Sequence, residues 1–298
     1  MSILNRASDG LLSVLLALRR ALIAYGPQPE ARLLELCAPP SVVSDGKPDM
    51  ARKTITRWKQ LGFFEEVDGQ LRLHTDVATI GVDDLDGLRA AILRLVLAPA
   101  NNPVLTSDGG DDNEKSKASD CTYAAAWALT QDPYSFPAKY RGGVEALQAS
   151  QGVEPRPFAN DTRWVGFAEW AVFLGIAWSA QKVGLVIDPA FAVRVSLPDV
   201  FMDAPELPQE PFLARLADIL PIVDTGRYHV AVMSQTARPW RPARANHISP
   251  CLSAALLTLE ARGDLRLEAR SDAPQRILVG RGGSEVRPVS HVLRLGVP

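Results

Sequence analysis

Apolar residues recur every three or four positions at the start of the chain: Leu11, Val14, Leu15, Leu18, Leu22 and Tyr25. That spacing predicts a helix over 10–26, stopped by Gly26-Pro27. A second helix is expected from Pro29 to Cys37, with Leu33, Leu34 and Leu36 apolar and Pro39-Pro40 after it. Ser44 to Pro48 reads as a polar loop, with Asp49 as the N-cap of a third helix reaching about Leu61. Ala51, Ile55, Trp58 and Leu61 form its inner stripe, and Gly62 takes the position after its end. From Phe63 to Leu73 the apolar period falls to two, and Asp68-Gly69 marks a hairpin. Three helices followed by a hairpin is the winged helix-turn-helix plan, whose third helix can enter a major groove. The face opposite the stripe carries Arg52, Lys53, Thr56, Arg57, Lys59 and Gln60, residue types that meet phosphates and base edges. The competing reading of that face is a solvated or protein-docking surface.

The middle of the chain is mostly helical in pattern. Asp83 to Leu97 places Leu85, Leu88, Ile92 and Leu95 on one side. Thr106 to Asp120 holds no large apolar residue, which predicts a flexible surface loop. Its acidic run at 108–114 does not have EF-hand spacing. A short helix is expected from Cys121 to Leu129. A long buried helix is expected from Asp161 to Ala180, with Trp164, Phe167, Trp170, Phe173, Leu174 and Trp178 as core. Gly184 to Ile187 reads as a strand, and Ala190 to Val200 as a helix opened by Asp188-Pro189.

Toward the C-terminus, Phe212 to Leu220 reads as a helix, and Arg227 to Ser234 fits helix or strand. Ser249 to Arg262 is a helix with Leu252, Leu256 and Leu259 inward, Ser249-Pro250 at its start and Gly263 after its end. Leu265 to Leu267 and Arg276 to Val279 read as two strands of a hairpin. Helix, glycine, hairpin repeats the first module, so a second winged helix is expected. Its helix face is poor in cations, but Arg238, Arg241 and Arg244 precede it, in a run that also holds Pro239, Trp240 and Pro242. That run is either an arm that grips a phosphate backbone or an exposed loop packing Trp240 onto its own domain.

Charge adds an asymmetry that the total hides. The 298 residues carry 32 basic and 34 acidic side chains, net −2. Residues 1–75 are net +2, residues 76–225 net −10, and residues 226–298 net +6, with every basic residue of the last segment an arginine. Basic ends can meet phosphate, and the acidic middle cannot. Cys37, Cys121 and Cys251 are far apart, which fits a reducing cytosol and not a disulfide scaffold or zinc module. Arg19 and Arg20 break the first apolar run, and the stretch from Val165 to Trp178 is shorter than the ~20 residues of a bilayer span. A cytoplasmic protein without membrane segments is therefore expected. Nothing local spells catalysis. No two of the four histidines lie within one helix turn, and Gly280 to Ser284 lacks the lysine of a P-loop. The expectation is a non-enzymatic protein with no cofactor and no metal.

Two strings carry a family likeness. Met1-Ser2-Ile3-Leu4-Asn5, with Ser8-Asp9-Gly10-Leu11 leading into the first helix, resembles the start of DpdG-type proteins. So does the Trp170-to-Gly175 segment followed by Val186-Ile187-Asp188-Pro189. That family belongs to bacterial gene clusters that place 7-deazaguanine derivatives in DNA and restrict DNA lacking them. The resemblance implies a non-catalytic component of an anti-phage or restriction assembly, beside a helicase, other ATPase or nuclease, and it carries over no catalytic residue.

Together these readings give an α+β, mostly helical protein with winged helix-turn-helix modules at both ends and a helical middle region. The expected domains are 1–80, 81–210 with its loop at 106–120, and 211–298. The expected function is a restriction-system component that binds DNA with low specificity or docks a DNA-acting ATPase or nuclease. The candidate DNA contacts are Arg52, Lys53, Thr56, Arg57, Lys59, Arg238, Arg241 and Arg244. The alternatives are a winged-helix transcription regulator, disfavoured by the lack of a long heptad helix, and a pure scaffold without DNA contact.

Overall fold

The computed structural model describes residues 3–4, 11–39, 49–103, 105, 117–181, 183–241 and 244–295. The expected loop at 44–48, the Asp49 cap, most of the loop at 106–120, Pro242 and Ala243 lie outside the described residues. The chain is a mostly helical α+β protein with small antiparallel sheets. It divides into two units: one of Met1–Cys121 with Thr162–Trp170, the other of Thr122–Asp161 with Ala171–Pro298. Among the described residues, no helix is long and apolar enough to cross a membrane.

The first unit opens with α1 (Leu12–Tyr25), α2 (Glu30–Cys37) and α3 (Asp49–Gln60), followed by β1 (Phe64–Val67) and β2 (Gln70–Leu73). The strands pair antiparallel, with Phe64 opposite Leu73 and Val67 opposite Gln70. Asp68 and Gly69 both have positive φ, 52° and 73°, as a two-residue turn matching strand twist requires. Leu15, Leu18, Leu33, Ile55, Trp58, Phe63 and Leu71 are buried, so the expected stripes of the three helices face one core, except at Tyr25, which ends α1 62% exposed. Trp58 meets Phe63 edge-to-face and Trp170 at a tilt, at centroid distances of 5.4 and 5.3 Å.

After the short α4 (Thr75–Ala78) comes α5 (Leu85–Leu97). Its buried face is Leu88, Ile92, Leu93, Val96 and Leu97, while Leu85 is 52% exposed. The expected stripe is thus displaced at its start. Asp84 caps the helix, its Oδ1 accepting from the Gly87 N–H at 2.8 Å, which puts Leu85 in the first turn. Arg19, expected to break an apolar run, is itself buried and donates to the carbonyls of Ile80 and Gly81, both at 2.8 Å.

Helices α6 (Ser119–Leu129), α7 (Glu145–Gln151) and α8 (Asp161–Leu174) follow. The last is shorter than the expected helix to Ala180. Gly175 adopts a φ of +73°, and a Cβ there would fall 2.1 Å from Cδ1 of Phe191. The chain turns at Gly175 into β3 (Ala177–Ala180), which pairs with β4 (Gly184–Ile187). Trp178, expected in the core, is 45% exposed on that hairpin.

The second unit continues through α9 (Ala190–Phe201), β5 (Glu206–Pro208), α10 (Gln209–Ile219), α11 (Arg227–Ser234) and α12 (Pro250–Arg262). It ends with β6 (Leu265–Glu268), β7 (Arg276–Val279), β8 (Glu285–Val289) and β9 (His291–Arg294). The segment from Arg227 to Ser234 resolves as a helix. Ser249 caps α12, its Oγ accepting from the Leu252 N–H at 3.3 Å, and Gly263 ends it at φ +80°.

The expected hairpin of β6 with β7 does not form. β9 lies between β5 and β6, while β7 pairs with β8. Two local features account for this. The Gly280-to-Ser284 turn, with Gly282 and Gly283 at φ 63° and 83°, closes β7 onto β8 within a few residues. The hydroxyl of Ser290 accepts from the Arg270 N–H, and the Ser290 N–H donates to Glu268 O, both at 2.8 Å, fastening the end of β6 beside β9. The apparent repeat of the first module therefore stops at the helix and its glycine.

Candidate nucleic-acid interface

Helix α3 sorts its polar residues differently from the sequence expectation. Arg52, Lys53 and Thr56 are exposed, with the Thr56 hydroxyl donating to Arg52 O at 3.1 Å. Arg57 is not on that face. It is fully buried, and its Nη1 donates to Gln60 Oε1 at 3.2 Å. The helical angle of 100° per residue explains the difference. Arg57 stands four residues before Leu61 and three after Thr54, both buried, so it lies at the edge of the inner face and its long stem runs inward beside them. A buried guanidinium cannot reach a phosphate in solvent. Lys59 is ion-paired with Glu66 of β1, and Arg72 of β2 with Glu65 at 2.8 Å. Arg52 Nε lies 3.9 Å from Glu30. The hairpin beside α3 is therefore rich in carboxylates, and its cations are already engaged.

Behind α3 the unit holds a buried carboxylate. Asp120 accepts from the Leu4 N–H at 3.4 Å and pairs with Arg163 at 3.3 Å. Burial pushes its pKa up to about 6, against the pull of Arg163, two backbone N–H groups and Arg57.

In the second unit the arginine run folds back on its own unit. The Arg238 N–H donates to Gln151 O at 2.8 Å, and Arg241 Nη1 donates to Gly283 O at 2.9 Å. Trp240 is half-buried, and Arg238 and Arg244 are exposed. Trp240, Arg241 and Arg244 line a cavity of about 500 Å³ whose walls also include Arg276, His229 and His247. Val230, Met233, Ile248 and Val279 make much of the remaining wall apolar. The N-terminus of α12 opens onto the same space through Ser249 and Pro250, adding the partial positive charge of a helix start.

The polar groups of this cavity differ in how they are held. Asp224 Oδ2 accepts from the Ser249 N–H at 2.6 Å, which fixes the carboxylate at the helix start. His247 is tied on both ring nitrogens, to Asn246 Oδ1 at 2.7 Å and Glu285 Oε1 at 3.1 Å. Nδ1 of His229 and Nε of Arg276 are buried and have no hydrogen-bond partner among the described residues. Arg276 has one distant ion partner, Glu210 at 3.8 Å. Sequence reasoning found the Arg238-to-Arg244 run because it is contiguous. It missed Asp224, His229 and Arg276, which come from separate segments with no shared spacing.

Among the described residues, no group of three or more His, Cys, Asp or Glu side chains is arranged to hold a metal ion. Cys251 is a core residue, its thiol directed at Gln131 O at 3.3 Å.

The sequence model of the family described as DpdG-like matches residues 1–273, most of the chain. The chain belongs to the DpdG-like family. Membership makes it a component of dpd defence systems, as the two strings imply. No curated protein and no solved structure matches it.

Proposed function

We propose that this member of the DpdG-like family is a non-catalytic, DNA-contacting component of a dpd defence assembly, with its first helices and hairpin acting as a winged helix. The observation that carries the reading is the arginine-lined cavity of the second unit. Three arginines from two segments, Arg241, Arg244 and Arg276, share it with Trp240 and a helix N-terminus. They lie in the segment that is net +6 within a chain that is net −2 overall. Focused positive charge of this kind attracts phosphate even when the whole protein repels it. Exposed Arg52 and Lys53 on α3 supply a second, smaller set of contacts.

The test is duplex binding by fluorescence anisotropy over a range of salt. A handful of contacts gives a log–log slope of about −0.9 per phosphate neutralised. Arg244→Ala, and separately the Arg52→Ala/Lys53→Ala pair, should each weaken binding and flatten the slope by about one for every cation removed from a phosphate. Absence of binding at low salt, with copurification of an ATPase or nuclease, overturns the DNA reading. A specific observation favours the docking alternative for the first unit: Glu66 and Glu65 occupy Lys59 and Arg72, so the hairpin offers a partner more carboxylate than cation.

A further inference from the structure

We propose that the cavity of the second unit is a nucleotide site that takes one unpaired nucleotide, either as part of a DNA strand or as a free nucleoside monophosphate. For the strand-borne form, this rests on the DNA-contact reading above and names the substrate class of that site. The chemistry of the walls defines the ligand. The volume, about 500 Å³, is that of a small-molecule site, which spans roughly 300–1,000 Å³. The ligand must be partly flat and apolar, because Trp240 and the aliphatic wall of Val230, Met233, Ile248 and Val279 leave much of the space without polar partners. It must also be anionic. Arg244 has no ion pair among the described residues, and Arg276 Nη2 is 3.8 Å from Glu210, a loose pair that leaves its charge largely uncompensated. The start of α12 adds a positive end on the same side of the balance.

A lone phosphate fits less well, since it leaves the apolar wall wet and Trp240 unused. A purely apolar ligand leaves the Arg244 guanidinium and the start of α12 without an anionic partner. A base joined to a phosphate satisfies both halves. Its π-face stacks on Trp240, as bases do on aromatic side chains. Its phosphate meets Arg244 and Arg276. Asp224, whose Oδ2 is committed to Ser249, keeps Oδ1 to accept from an amino or imino N–H on the base edge. Paired bases do not enter such a cavity, because their edges and faces are occupied in the duplex; the site therefore reads unpaired strand.

The experiment uses the full chain with three probes: a blunt-ended hairpin duplex, the same hairpin with a three-nucleotide single-stranded overhang, and free dGMP and dAMP. The expected result is that the overhang binds about tenfold more tightly than the blunt hairpin, the value of one stacked base. Trp240→Leu should remove that preference while leaving blunt-duplex affinity within about threefold, and Arg244→Glu should remove it while also weakening blunt-duplex binding, as loss of a phosphate contact requires. Arg244 is exposed and makes no side-chain bond among the described residues, so this variant should fold, which the melting curve checks. Equal binding of blunt and overhang DNA, with no dGMP or dAMP binding, overturns the nucleotide site and leaves the DNA-contact reading standing. Binding of dGMP or dAMP that is lost in both variants, with no DNA binding, supports the site with free nucleotide as its ligand and overturns the DNA-contact reading. Binding of none of the probes overturns both.

Discussion

Trp58→Ala is the sharpest test of how the first unit is built. The indole is 0% exposed and contacts the rings of Phe63 and Trp170. Truncating a buried Trp costs about 3–5 kcal/mol through forfeited transfer energy and the cavity left behind. The two ring contacts add about 0.5–1.5 kcal/mol each, within that range. One feature works the other way. Nε1 of Trp58 is buried without a hydrogen-bond partner among the described residues, and removing it returns about 1 kcal/mol or more of desolvation cost. The net expectation is a loss of about 2–4 kcal/mol, or a fall in Tm of roughly 6–16 °C for a unit of this size. Trp58→Phe separates the two effects. Its smaller ring leaves a cavity worth about 1 kcal/mol, close to what removing the N–H returns, so its Tm should stay within a few degrees of the parent. Thermal melts followed by circular dichroism and tryptophan fluorescence read both variants. An unchanged Tm for Trp58→Ala would place the ring in solvent, and the shared core of α1, α2 and α3 would be wrong. A Trp58→Phe variant as unstable as Trp58→Ala would show that the N–H has a partner.

Two further perturbations test buried charge. Asp120 has its pKa raised from 3.8 to about 6 by burial, so ionising it is harder in the folded state than in the unfolded one. Its contribution to stability is full below about pH 4 and is lost as pH rises through about 6, a change of about 3 kcal/mol; Asp120→Asn should lack that component, and urea denaturation profiles of the two proteins running parallel from pH 4 to 7 would refute it. Arg19 is 2% exposed and holds the carbonyls of Ile80 and Gly81, so Arg19→Met, which keeps the volume but strands those acceptors, should cost about 2–4 kcal/mol, read as a lower urea midpoint. An unchanged midpoint would mean that water reaches those carbonyls.

What the sequence made legible was local. The α1, α2 and α3 stripes, the Asp68-Gly69 turn, and the Ser249 start and Gly263 stop of α12 each depend on residues within a few positions of one another, and each appears where the pattern placed it. Apart from Tyr25 and Leu85, exposed at the ends of their helices, the failures involve distant partners. The strand choice of β6 depended on Ser290, more than twenty residues away, and not on the nearer β7. The end of α8 depended on Phe191 filling the space that a side chain at position 175 would need. Arg57 was placed outside by its charge, yet its site beside Trp58 and near Asp120 takes the guanidinium inward. The cavity of the second unit was half legible: the contiguous run pointed to Arg241 and Arg244, and no spacing pointed to Arg276 or His229.

The burial of Arg57 changes the balance between the two ends of the chain. Without it, α3 keeps Arg52, Lys53 and Thr56 as exposed candidates, and Lys59 is neutralised by the neighbouring strand. Two cations give at most about two phosphate contacts, and the carboxylates of Glu65, Glu66 and Asp68 on the hairpin oppose a third. A helix so placed binds DNA weakly unless other contacts hold the strand. In the second unit the geometry differs in kind, because the arginines converge on a concave, mostly apolar space. Charges held at the edge of a low-dielectric wall act more strongly than charges on an open helix. Such a wall also favours a base over water, which an open helix face does not. On the proposed reading the two ends divide the work by shape as much as by charge: an open, nearly neutral surface suits a protein partner, and a basic cavity suits an unpaired nucleotide. If duplex binding proved to depend on Arg52 and Lys53 and not on Arg244, that division would be reversed, and the cavity would need a ligand unrelated to DNA.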